Sequence, residues 1–379
     1  MSELIETKGE WEKALARLAR EPAIALDTET DAFFAYRPKI CLIQISTPDR
    51  DWLIDPLADL DLLGLGELLA DTDREVVLHA GENDVIHLKH EFGWTIAHLF
   101  DTQVACFVLG LPPYSLAGVL EARFELKLDK KLQRSDWSRR PLSGEQLHYA
   151  ADDTHYLLQL AQDLKARAIR ADRMEEIESE CARVAARDWE PEPFDPEAYR
   201  KMAGAKELHD GALKILRALF LFRNDEAERR NRAPYRVVGD HALVAIACNP
   251  DRQPGPGVPR SFWGRYGRQV VPLIQMAKRG GPLPKPQRRR SSGGPLPAAI
   301  RNRYNALRKW RSGAAKERGV EPFVVARNEL LMEVAKSGGT TVEEMAGLME
   351  PFRLREYGEA MQREMLDSKS VRPENASEP

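Results

Sequence analysis

Ala25-Leu26-Asp27-Thr28-Glu29-Thr30 follows Glu21-Pro22-Ala23-Ile24, so a short apolar run leads straight into two carboxylates. Ile24, Ala25 and Leu26 have the character of a buried strand. Side chains alternate faces along a strand, so Asp27 and Glu29 point the same way. Two acids on one face at the end of a buried strand repel each other. A divalent cation that prefers oxygen ligands, Mg²⁺ or Mn²⁺, offsets that repulsion. Alone the D-x-E pattern is weak, because a solvated strand end followed by a turn has the same sequence.

The flanking segments set it in a sheet. Residues 8–20 carry apolar residues at helical spacing. Downstream, Lys39–Thr47 is β-branched and apolar with Gln44 inside it, and Asp51–Pro56 reads as a third strand. Leu62–Leu69 has a helical pattern. Glu75–Ala80 is a short apolar strand running into Gly81-Glu82-Asn83-Asp84, a turn that opens a helix. Asp84 therefore stands at the carboxyl end of a strand, where open α/β sheets place ligands; capping its own helix is the plainer role. Helices and strands mixed in this way give an α/β domain with a sheet core. Gln146–Leu158 reads as one helix, with Tyr149 and Asp153 on one face. The pair Asp152-Asp153 inside it is costly if buried without partners.

The 379 residues, 43% hydrophobic and 30% charged, are enough for two or three globular domains. A net charge of −3 excludes a uniformly basic nucleic-acid binder, so any such role rests on local patches. Cys41, Cys106, Cys181 and Cys248 are far apart and form no C-x-x-C pair, which predicts reduced, buried thiols rather than zinc or disulfides. No leader-like N-terminus and no run of about 18 apolar residues occurs. The expectation is a cytoplasmic chain without membrane association, and a monomer, because its modules can bury their own cores.

Residues 188–199 are proline-rich and acidic and read as a linker. Beyond them the chain turns helical and repeats itself. At an offset of 88 residues, Arg223–Ala247 aligns without gaps on Arg311–Ala335 with seven identities in 25, among them Arg223/Arg311, Arg230/Arg318 and Pro234/Pro322. The expected division is a catalytic domain over 1–200, helical domains over 205–285 and 292–368, and a disordered tail over 369–379.

Asp27, Glu29, Asp84 and Asp153 come from three separated segments. Four carboxylates fit a site for two cations about 3.5–4 Å apart, which stabilise the attacking and leaving oxygens of an in-line displacement at phosphorus. No side-chain nucleophile is among them, so water attacks, oriented or partly deprotonated by Tyr149. Residues 285–311 hold Arg288, Arg289, Arg290, Arg301 and Arg303 with Trp310 and no acid, and Arg229-Arg230 forms a second basic cluster. These are candidate RNA contacts. Gln44, polar in an apolar strand, either touches the substrate or satisfies a core backbone group.

Taken together, Asp27-Thr28-Glu29-Thr30, His79-Ala80-Gly81-Glu82-Asn83-Asp84 and Tyr149-Ala150-Ala151-Asp152-Asp153 resemble the three motifs of the ribonuclease D family of DEDD 3′–5′ exonucleases, in its tyrosine form. Trp137, Arg140-Pro141-Leu142 and Phe100-Asp101-Thr102-Gln103 match as well. The resemblance implies an α/β, ribonuclease-H-like exonuclease domain, a mixed sheet flanked by helices, followed by two small all-α HRDC-like domains. It implies two Mg²⁺ or Mn²⁺ ions and release of 5′-mononucleotides from single-stranded RNA 3′ ends, with tRNA precursors as substrates. The histidine form of the superfamily would use His148, but helical geometry favours Tyr149, which shares the face of Asp153. A DNA exonuclease and a catalytically silent RNA-binding scaffold are the alternatives.

Overall fold

The computed structural model describes residues 2–129, 131–191, 193–252, 257–283, 296–338 and 341–370. The first half of the chain builds a sheet from β1 (Ser2–Ile5), β2 (Ala23–Thr30), β3 (Ile40–Ser46), β4 (Asp51–Ile54), β5 (Glu75–Leu78) and β6 (Leu99–Asp101). Their spatial order is β1-β4-β3-β2-β5-β6. The β4-β3 and β3-β2 pairs are antiparallel and the others parallel, so the sheet is mixed. Ile24, Ala25 and Leu26 are fully buried in β2, near the centre of the sheet, and the strand loses that complete burial where Asp27 begins. The apolar run thus does what its composition demands, and it delivers the two acids to the carboxyl end of the strand.

Helices cover both faces. They are α1 (Lys8–Leu18), α2 (Leu63–Leu69), α3 (Glu82–Phe92), α4 (Thr102–Val108), α5 (Leu116–Phe124), α6 (Gly144–His155), α7 (Leu157–Arg170) and α8 (Met174–Ala185). Strands β1 and β6 carry too few residues to show a period and are visible only through their pairing. The helix expected over Gln146–Leu158 is broken at Tyr156, between α6 and α7. Cys41, Cys106 and Cys181 are buried free thiols as expected, whereas Cys248 is exposed. Among the described residues no helix is long and apolar enough to cross a membrane.

Two helical modules follow, each with its own core. The first contains α9 (Asp210–Arg229), α10 (Pro234–Val237), α11 (Asp240–Cys248) and α12 (Arg260–Arg279). Tyr199, Met202 and Ala205 pack into the same core, so its packing begins upstream of α9. The second contains α13 (Ala298–Arg318), α14 (Pro322–Val325), α15 (Asn328–Ser337), α16 (Val342–Met345) and α17 (Pro351–Ser370). Residues 369 and 370, expected in a tail, belong to α17; the rest of that tail lies outside the described residues. The sequence repeat is also a repeat of contacts. Buried Arg223 donates to the Val238 carbonyl (3.2 Å) and to Asp240, and buried Arg311 donates to the Ala326 carbonyl (2.8 Å) and to Asn328.

Both modules dock on the sheet domain with the same edge, the end of the first helix and the one-turn helix after it. In the second module Arg318 donates to the Val108 carbonyl (2.8 Å) and grips buried Glu176 through two nitrogens, while Val324 joins the main core. Arg353 reaches buried Glu180 at 2.9 Å. Glu176→Gln keeps the shape beneath Arg318 but removes the charge, and it is expected to lower unfolding free energy by about 1.5–3 kcal/mol, the worth of a charged hydrogen bond. Denaturant unfolding of the full chain measures it; an unchanged midpoint would mean the pair adds nothing to docking.

Candidate active site

Helix α6 is fixed over the sheet from both ends. At its start, Arg140 grips Asp55 and donates to the Cys41 and Trp137 carbonyls, both at 2.7 Å. Ser143 and Gln146 then form a reciprocal cap. Near its end, the Thr154 and Ser46 hydroxyls are 2.6 Å apart. Between these anchors, small Ala150 and Ala151 let the helix lie close on Leu42, Leu53 and Trp137. The helix face carrying Tyr149 and Asp153 is thereby turned to the end of β2. Trp137 is core, not a stacking platform, with 1% of its surface exposed.

Carboxylate oxygens of Asp27, Glu29 and Asp153 all lie within 4.8 Å of one another. Asp84 arrives from the first turn of α3. The turn before it is locked by Asp101, whose carboxylate accepts from the Ala80 (3.1 Å) and Gly81 (2.8 Å) amides and also caps α4. Asp84 does not serve as the cap of α3; its Oδ1 accepts from the Thr28 amide at 3.1 Å and from the Thr28 hydroxyl. Thr28, missed in the sequence, thus ties the second acidic segment to the first. Its only sequence signal is its place between two acids.

The electrostatics follow from burial and crowding. Burial, then the charges of Asp153 and Asp84, raise Glu29 to about 9. Burial raises Asp153 to about 7 against the opposing hydrogen bond from Tyr149, and raises Asp84 to about 6 against those from Thr28. Asp27 is pushed well above the usual carboxylate range by burial and by all three neighbours. Among the described residues, no cationic side chain is a leading cause of any of these shifts. An all-oxygen cluster of this kind fits hard divalent cations, which would be held by Asp27, Glu29 and Asp153 with Asp84 beside them. Tyr149 hydrogen-bonds Asp153, and burial with the charges of Asp153 and Glu29 pushes its phenol up, so it keeps its proton.

The sign of the pH dependence is set by these shifts. The folded acids hold protons that the unfolded chain gives up near pH 4, so stability without metal falls as pH rises through about 6, 7 and 9. Cations compete with those protons. The Mg²⁺-induced gain in Tm over EDTA is therefore expected to be larger at pH 9 than at pH 6. A scan at the two pH values that finds equal gains would contradict it.

Other candidates are placed differently. Gln44 stands directly opposite Asp27 on β3 but is 0% exposed, so in this conformation it is not an RNA contact. Neither of its amide atoms has a hydrogen-bond partner, so it does not satisfy a core backbone group either. Trp310 is half-buried against the second module's core, edge-on to Tyr357. Arg229 and Arg230 are both paired with Glu226. Arg301 is exposed, Arg303 is half-buried, and Arg288, Arg289 and Arg290 lie outside the described residues. His148 is 82% exposed and faces Asp152 at 3.6 Å, away from the acid cluster.

A family model described as 3′–5′ exonuclease matches residues 2–168, and one described as HRDC domain matches residues 212–254 and 301–364. A ribonuclease D of Gluconacetobacter diazotrophicus is 31% identical over 344 residues, covering 88% of this chain and 86% of the relative. The chain belongs to the ribonuclease D family. As a member of that family it is a 3′–5′ exoribonuclease with HRDC domains, acting on RNA. Among solved structures, the catalytic core of RRP6 from Trypanosoma brucei superposes with a TM-score of 0.66 at 26% identity, over 73% of this chain and 79% of that one. Escherichia coli RNase D, at 24% identity and a TM-score of 0.61 over 97% and 99% of the two chains, shares the fold. The mixed sheet and the helical C-terminal region are those of ribonuclease D.

Proposed function

We propose that Asp27, Glu29, Asp84 and Asp153 hold two Mg²⁺ or Mn²⁺ ions and that Tyr149 positions the water that cleaves the last phosphodiester of a single-stranded RNA, releasing a 5′-mononucleotide. The observation that carries this reading is the convergence of three carboxylates within 4.8 Å, with a fourth at their edge and, among the described residues, no cation as a leading influence on their charge. Bound cations supply charge neutralisation at the phosphate and a more acidic water. The chain's residues do the rest. Tyr149, kept protonated, orients the water through its hydroxyl and holds Asp153 in place. Thr28 holds Asp84. Arg140 and the Ser143 cap hold α6, and with it Tyr149, at a fixed height above β2.

The natural substrates in this proposal are the 3′ trailers of tRNA precursors, handled by a cytoplasmic monomer. The domain division at 1–200, 205–285 and 292–368 belongs to the same proposal, with packing of the first helical module beginning near Tyr199. RNA over DNA is tested with matched 5′-labelled strands, each with Mg²⁺, Mn²⁺ or EDTA. Stepwise shortening of the RNA from its 3′ end, dependent on metal, is the expected result. Faster loss of the DNA strand would favour a DNA exonuclease, and binding of both strands without shortening would favour a silent scaffold.

A further inference from the structure

The loop after β2 leaves the acid cluster and runs directly into the first helical module. The Ala233 amide donates to the Phe34 carbonyl (2.9 Å), the Tyr36 hydroxyl to Asn224 (2.9 Å) and the Tyr235 hydroxyl to the Phe33 carbonyl (2.7 Å). Yet the rings brought together there are not consumed by packing: Phe33 is 50% and Tyr235 57% exposed. A hydroxyl anchored on a backbone carbonyl fixes the Tyr235 ring without burying it. At the matching position of the second module, Phe323 instead packs edge-on against Phe107 of the sheet domain. Both rings keep solvent exposure, Phe323 42% and Tyr235 57%, but Phe323 is packed against a ring of the sheet domain whereas Tyr235 is held through its hydroxyl.

Guanidiniums crowd these rings, and the seam also holds acids: Arg236 lies 3.7 Å from Asp136, and Arg37 pairs with Glu228. Arg134 lies over Phe33 at 5.6 Å and Arg236 over Phe34 at 4.1 Å. Arg139 and Arg232 are exposed close by in the chain. Beside the rings, a groove of about 430 Å³ runs between Tyr36, Phe194 and Phe220 and is bordered by Pro234, the neighbour of Tyr235. Rings held face-out among guanidiniums suit a flexible polyanion whose bases offer flat faces, which is an unpaired RNA strand. Phe33 is four residues beyond Glu29, at most about 14 Å of chain. At about 3.4 Å per stacked nucleotide that distance is a few nucleotides.

We propose that Phe33 and Tyr235 form a stacking platform, across the seam between the sheet domain and the first helical module, for unpaired nucleotides a few positions upstream of the reacting 3′ end. A base-paired stem cannot offer the faces of its inner bases there, so the platform selects for a single-stranded lead before the first structured element. This inference rests on the acid cluster being the reaction centre.

The test uses the full chain and a single-stranded oligoribonucleotide of about eight nucleotides, carrying 2-aminopurine a few positions from its 3′ end. Binding is titrated in EDTA, so no turnover intervenes. Phe33→Ala and Tyr235→Ala should each weaken Kd about tenfold and abolish the quenching of the analogue that accompanies binding to the unmodified chain. Tyr235→Phe, which keeps the ring, should retain the quench, as should Ile169→Ala at an exposed site elsewhere. Unchanged affinity and quenching in both alanine variants would overturn the platform. Equal losses in Tyr235→Phe and Tyr235→Ala, or a fall in Tm that accounts for them, would also overturn it, because the hydroxyl's hold on the loop would then be the cause. Turnover of the same oligonucleotide with Mn²⁺ is followed separately, so failure of the nuclease reading is seen as loss of shortening with the binding result intact.

Discussion

Asp27→Asn should reduce kcat on single-stranded RNA by about 10³-fold or more while making the metal-free protein more stable. Both effects have one source. Asp27 is the acid most opposed by its surroundings: burial, Asp84, Asp153 and Glu29 all disfavour its charge. That unfavourable charge is useful only when cations occupy the cluster. An amide of the same shape contributes a neutral oxygen and removes the repulsion. Loss of several kcal/mol of charge stabilisation in the transition state corresponds to the stated loss in rate. In EDTA at pH 8 the variant should melt above the unmodified protein, and Mg²⁺ should raise its Tm less. A variant that turns over within tenfold of the unmodified enzyme, with undiminished metal response, would remove Asp27 from the metal site. Parallel loss of RNA binding in EDTA would argue against a role confined to metal.

The second large effect is expected at Tyr149, not at the histidine beside it. Tyr149→Phe should lower kcat by about 10²–10⁴-fold, the usual worth of a positioned proton-transfer or water-orienting group. The phenol also opposes the rise of Asp153 by donating to it. Its loss should move Asp153 further above about 7, so that protons compete better with metal and the Mg²⁺ requirement at neutral pH increases. A plain loss of packing would not move the metal requirement, which makes that shift the deciding readout. His148→Ala should stay within a few-fold, since His148 is 82% exposed and 3.6 Å from Asp152, on the solvent side of α6. The reverse pattern, with His148→Ala inactive and Tyr149→Phe active, would assign the water to the histidine.

The carboxylates of β2, the turn at Asp84 and the pairing of Tyr149 with Asp153 were legible from local order alone. A period of two places Asp27 and Glu29 on one face, and a spacing of four places Tyr149 on the face of Asp153. The helical repeat was legible for a related reason: Arg223 and Arg311 each clamp a carbonyl at the same offset, so the sequence keeps the pair in register. For Gln44 and Trp310 the sequence shows polarity and aromaticity, which describe what a side chain can do, whereas burial decides what it can reach. Trp310 is half-buried against the module core, and Gln44 is fully buried opposite Asp27. Of the basic residues, Arg229 and Arg230 share the one carboxylate of Glu226, which leaves a positive charge over and Arg229 62% exposed.

The sequence by itself thus determined which acids are available, on which faces of which elements, and that a sheet domain is followed by two copies of a helical module. Only the tertiary structure decided that Thr28 binds Asp84, that Arg140 sets the height of α6, and that the two copies dock on the sheet domain through the same edge. Such contacts join residues from tens to about two hundred positions apart, as with Phe33 and Tyr235 or Val108 and Arg318. No periodicity spans such separations. They are chosen by which packing buries the most apolar surface while leaving the fewest charges unpaired, and that choice belongs to the folded chain as a whole.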